Sequence, residues 1–324
     1  MKYVLAPLAG FTDAPFRRMC AEGGADLAYT EMVSAAGLAY GSSPTRHLLE
    51  TMGGEGPVAC QIFGANESDI AYATEVVEGL GPRTSDGRRK TRFAELNLNA
   101  GCPMTKVTRE GAGAKLVEDP EKIHRLLKAM VDHTSLPVTL KTRLGPHPQR
   151  TNILEILDAA ESAGAKGIIV HARYTSQMHG GPTHLDVLAD VVKHAKIPVT
   201  GNGSVTDAKS AASMAATGVS AIMIGRAALA NPGIFNQLRG EDFRRETKDE
   251  FRRHLDYLLR FRDQLAAHFP HDHIPSPDAF ASVKMHVHLF RYFNGRPGAA
   301  ELRKRLNTVR TLAEIETIVR GFAN

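Results

Sequence analysis

The chain has 324 residues, 43% of them hydrophobic, and a formal net charge of +5. It is long enough to bury a large core in one large domain with a smaller one beside it. No run of about 18 apolar residues and no signal peptide occurs, so we expect a cytoplasmic protein that does not enter the membrane. Its three cysteines, Cys20, Cys60 and Cys102, are far apart, which argues against disulfides and against a zinc or iron–sulfur site, so no metal is expected.

Short apolar or β-branched runs recur along the first part of the chain, and each is followed by a longer stretch with helical periodicity. Eight runs predict strands: Tyr3–Ala6, Leu27–Thr30, Val58–Phe63, Phe93–Leu98, Val138–Lys141, Gly167–His171, Ile197–Gly201 and Ser220–Ile224. Asp119 and Asp207 precede two of the helical stretches as capping residues. Strict alternation with strands that are apolar throughout indicates an α/β fold, a (β/α)8 TIM barrel. A doubly wound open sheet is the alternative, but no Gly-x-Gly-x-x-Gly turn follows the first strand.

The alternation is interrupted once and then ends. The polar segment Arg83–Arg92 is predicted to be an exposed loop ahead of the fourth strand. Beyond Gly240 the pattern is helical, with helices predicted over Glu241–Phe269, Pro277–Phe293, Gly298–Asn307 and Leu312–Phe322. We therefore divide the chain into a barrel domain, residues 1–240, and a small helical-bundle domain, residues 241–324.

The positive charge is concentrated in the helical region. Residues 284–324 contain eight Lys or Arg and three acids, so this stretch accounts for the whole net charge of +5. Lys and Arg displace counterions from phosphates, which makes the stretch a candidate surface for a polyanion. A solvated helical face gives the same pattern, and charge alone does not separate the two interpretations.

Polar and small residues follow the predicted strands directly, at the end where TIM barrels place their working residues. They are Pro7, Leu8, Ala9, Gln61, Asn99, Cys102, Lys141, Arg143, His171, Arg173, Gly201, Asn202, Gly203, Gly225 and Arg226. Each has an ordinary structural explanation when taken alone, such as an inert core cysteine or an ion-paired lysine. Their recurrence at seven strand ends indicates an active site.

The turns after the seventh and eighth strands predict a phosphate site. Gly201-Asn202-Gly203 and Gly225-Arg226 expose backbone N–H groups where barrels commonly bind phosphate, and Arg226 would pair with its charge.

A flavin accounts for the other groups. Pro7–Ala9 would back its ring, Gln61 would contact its pyrimidine edge, and Lys141 would stabilise the anionic reduced form. FMN meets every requirement. Lys141 could instead form a Schiff base, as in an aldolase.

The motifs resemble those of the tRNA-dihydrouridine synthases, in order and approximate spacing, over essentially the whole chain. The matching segments are Ala6–Asp13, Gln61–Gly64, Asn99–Pro103, Lys106, Gly111–Ala114, Lys141–Arg143, His171–Arg173, Gly225–Ala227, Asn231–Phe235 and Lys284–His286. Two positions depart from the family pattern. Ala172 replaces a usual glycine, and Ser204 replaces a usual aspartate, which removes a carboxylate.

This resemblance implies a flavin-dependent oxidoreductase that binds FMN and reduces the C5–C6 double bond of specific uridines in tRNA, with NADPH or NADH as reductant. It implies that N5 of reduced FMN delivers hydride to C6 and that Cys102 donates the proton to C5. A thiol is still mostly protonated at neutral pH, so it can act as this acid. The protein is expected to be a monomer.

The resemblance also implies binding roles. Asn99, Lys141 and Arg143 would fix the uracil edge, His171 and Arg226 would hold the flavin and its phosphate, and Arg173 would serve either ligand. In the basic stretch, Lys284 and Arg291 would contact the RNA.

Three other functions stay open at this point. A small-molecule ene reductase related to dihydroorotate or dihydropyrimidine dehydrogenases would share the barrel, the phosphate loops and a catalytic thiol, but it would not need a basic helical tail. A Schiff-base aldolase would be colourless. A non-catalytic RNA chaperone would bind RNA without consuming NADPH.

Overall fold

A closed barrel of parallel strands forms the first part of the chain in the computed structural model, which describes residues 1–80, 92–243, 246–292, 301, 304–305, 308–309 and 311–322. The strands are β1 Lys2–Leu5, β2 Leu27–Tyr29, β3 Val33–Ser34, β4 Val58–Phe63, β5 Glu95–Ala100, β6 Val138–Arg143, β7 Gly167–His171, β8 Val199–Asn202 and β9 Ala221–Ile224. β1 pairs with β2 and β9, and β2 also pairs with β4, so the ring closes with eight strands. The predicted TIM barrel is confirmed.

The two-residue strand β3 was not predicted. It pairs only with the far end of β4, while β2 pairs with the near end of β4. The second position of the ring is thus an interrupted strand. A run of two paired residues is too short to give a periodic signal in the sequence.

Helices surround the barrel. Their bounds are α1 Ala14–Glu22, α2 Ala35–Ala39, α3 Ser43–His47, α4 Glu67–Glu78, α5 Thr105–Arg109, α6 Pro120–Asp132, α7 Ile153–Ser162, α8 Leu185–His194, α9 Ala208–Ala215, α10 Arg226–Ala230 and α11 Ile234–Leu238, with 3₁₀ turns at Gly113–Glu118 and Thr175–Gln177. Asp119 and Asp207 accept the N–H groups of Lys122 and Ser210, at 2.9 and 2.8 Å. Both capping predictions are confirmed.

Strand residues alternate between two environments. Val4, Tyr29, Ala59, Ile169 and Met223 belong to a small apolar cluster inside the ring, whereas the residues between them along the strands pack against the helices. Because side chains alternate along a strand, polar residues in register with this cluster also point into the barrel. They are Gln61, Asn97, Asn99, Thr139, Lys141, Arg143 and His171.

Three strands run further than predicted. β5, β6 and β8 end at Ala100, Arg143 and Asn202, beyond the predicted ends, because the parallel pairing continues there. From the sequence, the polar residues Asn99, Arg143 and Asn202 are expected to begin the loops that follow these strands. They remain on strands because their side chains lie inside the barrel mouth, where a polar group is tolerated.

A second apolar cluster holds the C-terminal helices α12 Thr247–His268, α13 Pro277–Tyr292 and α14 Leu312–Phe322 together. It includes Phe251, Leu255, Leu258 and Leu265 of α12, and it also takes in Ala14 at the start of α1. Helix α12 begins at Thr247 rather than at the predicted Glu241. Most of the predicted helix Gly298–Asn307 and nearly all of the segment Arg83–Arg92 lie outside the described residues. Among the helices that are described, none is long and apolar enough to cross a membrane.

Candidate functional site

The loop that carries Cys102 is fixed by hydrogen bonds on three sides. The N–H of Cys102 donates to Asn99 Oδ1 at 3.0 Å, and the carbonyl of Cys102 accepts the N–H of Ala114 at 2.8 Å. Arg143 Nε donates to the carbonyl of Gly101 at 2.7 Å. Gly113 has φ +59°, and a Cβ there would lie 2.6 Å from the carbonyl oxygen of Cys102. The backbone beside the thiol is therefore held in one position.

Cys102 differs from the other two cysteines in its exposure. Cys20 and Cys60 are fully buried, and burial raises the pKa of both thiols, that of Cys60 to about 12. Cys102 is partly exposed. Of the three thiols, only Cys102 is placed where a ligand can reach it.

A chain of side-chain hydrogen bonds leads from this loop into the barrel. Asn99 donates to Gln61 at 2.7 Å, Gln61 to Asn97 at 2.7 Å, Asn97 to Thr139 at 2.8 Å and Thr139 to Glu95 at 2.9 Å. Gln61 is fully buried beneath Asn99. The structure thus places Gln61 inside the barrel below Asn99, and its contact with the flavin edge stays a prediction.

Asn99 uses both ends of its amide inside the protein. Its oxygen accepts from Gly101 and Cys102 at 3.1 and 3.0 Å, and its nitrogen donates to Gln61 and to the sulfur of Met32. An amide has two donor hydrogens and two acceptor lone pairs, so each of these positions on Asn99 faces a group of the protein. In this arrangement Asn99 positions the Cys102 loop, and its contact with the uracil edge stays a prediction.

Cations gather around the loop at the barrel mouth. Burial, and then the neighbouring Arg143, lower the pKa of Lys141 to about 8. Burial also lowers the pKa of Arg143 to about 10. Burial, followed by the charges of Lys141 and Arg143, keeps the pKa of His171 far below its ordinary value, so the imidazole is neutral. Within the described residues no ion pair involves any of them. The mouth is thus positively charged and unneutralised.

His171 and Arg173 are tied to each other. Arg173 Nη1 donates to His171 Nε2 at 3.2 Å, so Nε2 accepts and the proton of the neutral ring is on Nδ1. Arg173 Nη2 donates to Ser204 Oγ at 2.6 Å and to the carbonyl of Gly181 at 2.8 Å. Ser204 stands where the dihydrouridine synthase pattern usually has an aspartate. It still accepts a hydrogen bond from Arg173, but a neutral hydroxyl does not neutralise the charge of the guanidinium.

His179 joins this cluster although no pattern in the sequence points to it. Its ring stacks at 6.3 Å between centroids from that of His171, and burial together with the nearby cations lowers its pKa. His179 lies in a turn after β7. This turn folds back and so brings the ring of His179 beside that of His171.

The predicted phosphate loops do not all face the mouth. A Cβ on Gly203 would lie 3.2 Å from the ring of His171, so this turn borders the site. A Cβ on Gly201 would lie 2.6 Å from the sulfur of Met214 on α9, so Gly201 serves helix packing instead. Asn202 donates to the carbonyl of Met223 at 2.9 Å. Arg226 is exposed at the first position of α10.

The loop after β1 lies beside the turn before α10. Pro7 and Leu8 are partly buried and Ala9 is exposed. A Cβ on Gly225 would lie 3.7 Å from the side chain of Leu8. The N–H of Gly10 donates to the carboxylate of Glu31 in a short hydrogen bond. This loop is therefore ordered and forms one wall of the mouth.

Lys284 is not on an open surface. It lies on α13, and its amine is 3.4 Å from Asp13 Oδ2 and 3.9 Å from Glu31 Oε1. Although burial alone lowers the pKa of Lys284, these two carboxylates raise it. The structure places Lys284 at the junction between the helices and the barrel, and its contact with RNA stays a prediction. Arg291 lies in α13, but its side chain is outside the described part of the chain.

The sequence matches the dihydrouridine synthase family over residues 4–322. The chain belongs to this family. It is 34% identical to tRNA-dihydrouridine synthase B of Serratia marcescens over 237 residues, which cover 73% of this chain and 68% of that protein. It is also 34% identical to tRNA-dihydrouridine synthase B of Escherichia coli K12 over 239 residues, or 74% and 71%. A probable tRNA-dihydrouridine synthase of Rhodobacter capsulatus is 36% identical over 231 residues, or 71% and 68%. The family resemblance stated from the motifs is confirmed.

Proposed function

We propose that this family member reduces the C5–C6 double bond of uridine in tRNA, with FMN as cofactor and NADPH or NADH as the source of electrons. The observation that carries the proposal is the partly exposed Cys102, held rigidly at a barrel mouth whose cations have no carboxylate partner in the described part of the chain. Such a mouth suits an anionic ligand and a reaction that develops negative charge.

The residues of the mouth fit a flavin mononucleotide. Arg226 and Arg173 offer positive charge to a phosphate, and Gly203 leaves room beside His171. Lys141, protonated below about pH 8, suits the anionic reduced ring. When bound, reduced FMN supplies the hydride that adds to C6 of the uracil.

Cys102 donates a proton to C5 on the opposite face of the uracil. Hydrogen bonds with Asn99, Arg143 and the N–H of Ala114 hold the backbone at Cys102 in place. The thiol is therefore already positioned before the proton is transferred. Arg143, which keeps guanidinium hydrogens beyond those used on Gly101 and Tyr174, stabilises the negative charge on the uracil oxygen before protonation.

A uridine in a folded RNA must leave its stack to reach this mouth. That extrusion costs a few kcal/mol and is easiest for a loop nucleotide. Contacts elsewhere on the RNA have to offset this cost, and the basic stretch at residues 284–324 supplies positive charge for them.

The test uses tRNA purified from cells that lack this gene. Incubation with the purified protein, FMN and NADPH should form dihydrouridine at defined positions, with one NADPH consumed for each site reduced. Reduction of free uracil or dihydroorotate-type substrates without action on tRNA would instead identify a small-molecule ene reductase. NADPH oxidation with no dihydrouridine in any tRNA would reject the proposal.

A further inference from the structure

Three buried side chains from separate parts of the chain converge where α12 and α13 meet the start of α1. They are Asp13, His254 and His288, and one ligand atom of each lies within 4.8 Å of the others. Asp13 is 5% exposed and the two histidines are fully buried. The reaction proposed above does not use any of them.

Ring nitrogens of both histidines lack a hydrogen-bond partner among the described residues. Asp13 Oδ1 accepts the N–H of Phe16 at 3.2 Å, and Oδ2 forms an ion pair with the amine of Lys284 at 3.4 Å. His254 Nδ1 is 2.9 Å from the hydroxyl of Tyr292. Within the described residues, His254 Nε2 and both ring nitrogens of His288 have no hydrogen-bond partner. Buried polar atoms nearly always have partners. Three unpaired ring nitrogens beside a buried carboxylate therefore indicate that a ligand belongs between them.

The surroundings suit a bound ion. The hydroxyl of Tyr292 can accept the Nδ1 proton of His254, which leaves a lone pair on Nε2, the usual arrangement of a metal-binding histidine. The rings of Phe11 and Phe16 pack against His288, with centroids 5.4 and 4.8 Å away, and shield the cluster from water.

Lys284 is the competing cation. Its amine lies 3.4 Å from Asp13 Oδ2, but it is also 3.9 Å from Glu31 Oε1, which has no hydrogen-bond partner among the described residues. A small movement of the amine toward Glu31 would release Asp13 Oδ2 for a metal and would pair the second carboxylate. The cluster can thus accept a divalent ion without leaving Lys284 unpaired.

We propose that Asp13, His254 and His288 bind a zinc ion that joins the C-terminal helices to the barrel. Two imidazoles and one carboxylate favour Zn²⁺ over Mg²⁺ or Ca²⁺, which prefer oxygen ligands. Bonds of about 2.0–2.1 Å in a tetrahedron place ligand atoms about 3.3 Å apart, so binding draws the three side chains closer together. A water molecule takes the fourth position.

The experiment uses the full-length protein produced without a histidine tag and supplemented with FMN. It is stripped with a chelator, incubated with ZnCl₂, desalted and analysed for zinc by mass spectrometry. We expect one zinc per chain and a melting temperature that rises with ZnCl₂ but not with MgCl₂. His254→Gln and His288→Gln should lose both effects. His184→Gln is the control, because His184 also has an unpaired ring nitrogen but lies outside the cluster.

Two results would overturn the proposal. A wild-type protein that retains no zinc and shows no zinc-dependent melting shift would mean that the cluster holds only a buried water. Equal zinc in the wild type and in both glutamine variants would mean that the ion binds elsewhere. Should the variants fail to fold, a wild-type crystal grown with zinc decides the matter. An anomalous peak at the zinc edge must then lie between Asp13, His254 and His288.

Discussion

Charged side chains are arranged in opposite ways at the barrel mouth and at the junction with the C-terminal helices. At the mouth, Arg143 and Arg173 donate to backbone carbonyls and neutral side chains, and no described carboxylate pairs with them. At the junction, Arg17 pairs with Glu55 at 2.6 Å, and Lys284 lies between two carboxylates. Both regions are buried and polar, but within the described residues the cations of the mouth have no carboxylate partner, whereas those of the junction do.

The pKa values show the same contrast. At the mouth, burial and mutual repulsion lower the pKa of Lys141 and Arg143. At the junction, two carboxylates outweigh the effect of burial and raise the pKa of Lys284. A bound anion stabilises the charged form most strongly in a cation whose pKa is lowered. A cation that is already paired instead holds the helices and the barrel together. The state of pairing, rather than charge itself, separates the two roles.

The largest effect is expected at the thiol. Cys102→Ala should leave FMN bound but slow the oxidation of reduced flavin by tRNA by roughly two to four orders of magnitude, the usual contribution of a general acid. Single-turnover flavin absorbance measures it. Cys20→Ala, at a buried thiol, is the matched control and should react at the wild-type rate. An unchanged rate in Cys102→Ala would remove Cys102 from the chemistry.

A smaller effect is expected at Asn99. Asn99→Ala leaves the N–H groups of Gly101 and Cys102 unsatisfied, at a cost of about 1–3 kcal/mol, so the rate of uridine reduction should fall roughly 10- to 100-fold. Because Asn99 positions the thiol, the affinity for tRNA should stay constant while the maximal single-turnover rate falls. Weaker tRNA binding with an unchanged maximal rate would instead support the uracil contact that the sequence predicted.

The mouth should also respond to pH. The pKa of Lys141 is lowered to about 8, so its charge is complete below that pH and is lost above it. The affinity of the flavin-free protein for FMN should therefore fall as pH rises through 8, by up to about tenfold per unit for one coupled proton. Fluorescence titration of FMN measures this, and Lys141→Met should flatten the profile. A wild-type profile that is already flat between pH 7 and 9 would contradict the role of Lys141.

The smallest effect is expected at the junction. Lys284→Met removes a cation that faces Asp13 and Glu31, and it should lower the free energy of unfolding by about 1 kcal/mol. Denaturant titration measures this loss. Lys304→Met is the control, since Lys304 is largely exposed and pairs with the nearby, exposed Glu301. Unchanged stability together with weaker, salt-sensitive tRNA binding would return Lys284 to the RNA-contact role that the sequence predicted.

Much of the fold followed from local pattern. The alternation of apolar runs with capped helices predicted the barrel, because a strand buried on both faces leaves a continuous apolar signal. The strand ends were misplaced at Asn99 and Arg143, because a polar residue that points into a barrel mouth has the same local signature as a loop residue. Cys102 stood out because polar and small residues recur at seven strand ends and because Asn99–Pro103 matches a family motif.

The partners of the site residues could not be predicted in the same way. Gln61 and Asn99 hydrogen-bond to each other across β4 and β5, and His179 reaches His171 only through the return of a turn. Lys284 belongs to a basic stretch of sequence, yet it faces two carboxylates from the barrel. Net charge along a chain does not reveal which charges will be paired in space.

By itself, the sequence determined the barrel, the family and the cysteine at the fourth strand end, because these depend on periodicity and on residues adjacent along the chain. Only the tertiary structure decided which polar groups are satisfied. It joined Asn99 to the Cys102 loop, left the cations of the mouth without carboxylates and brought Asp13 to His254 and His288. Hydrogen bonds and ion pairs form across a few ångströms of space, between residues whose separation in sequence carries no signal.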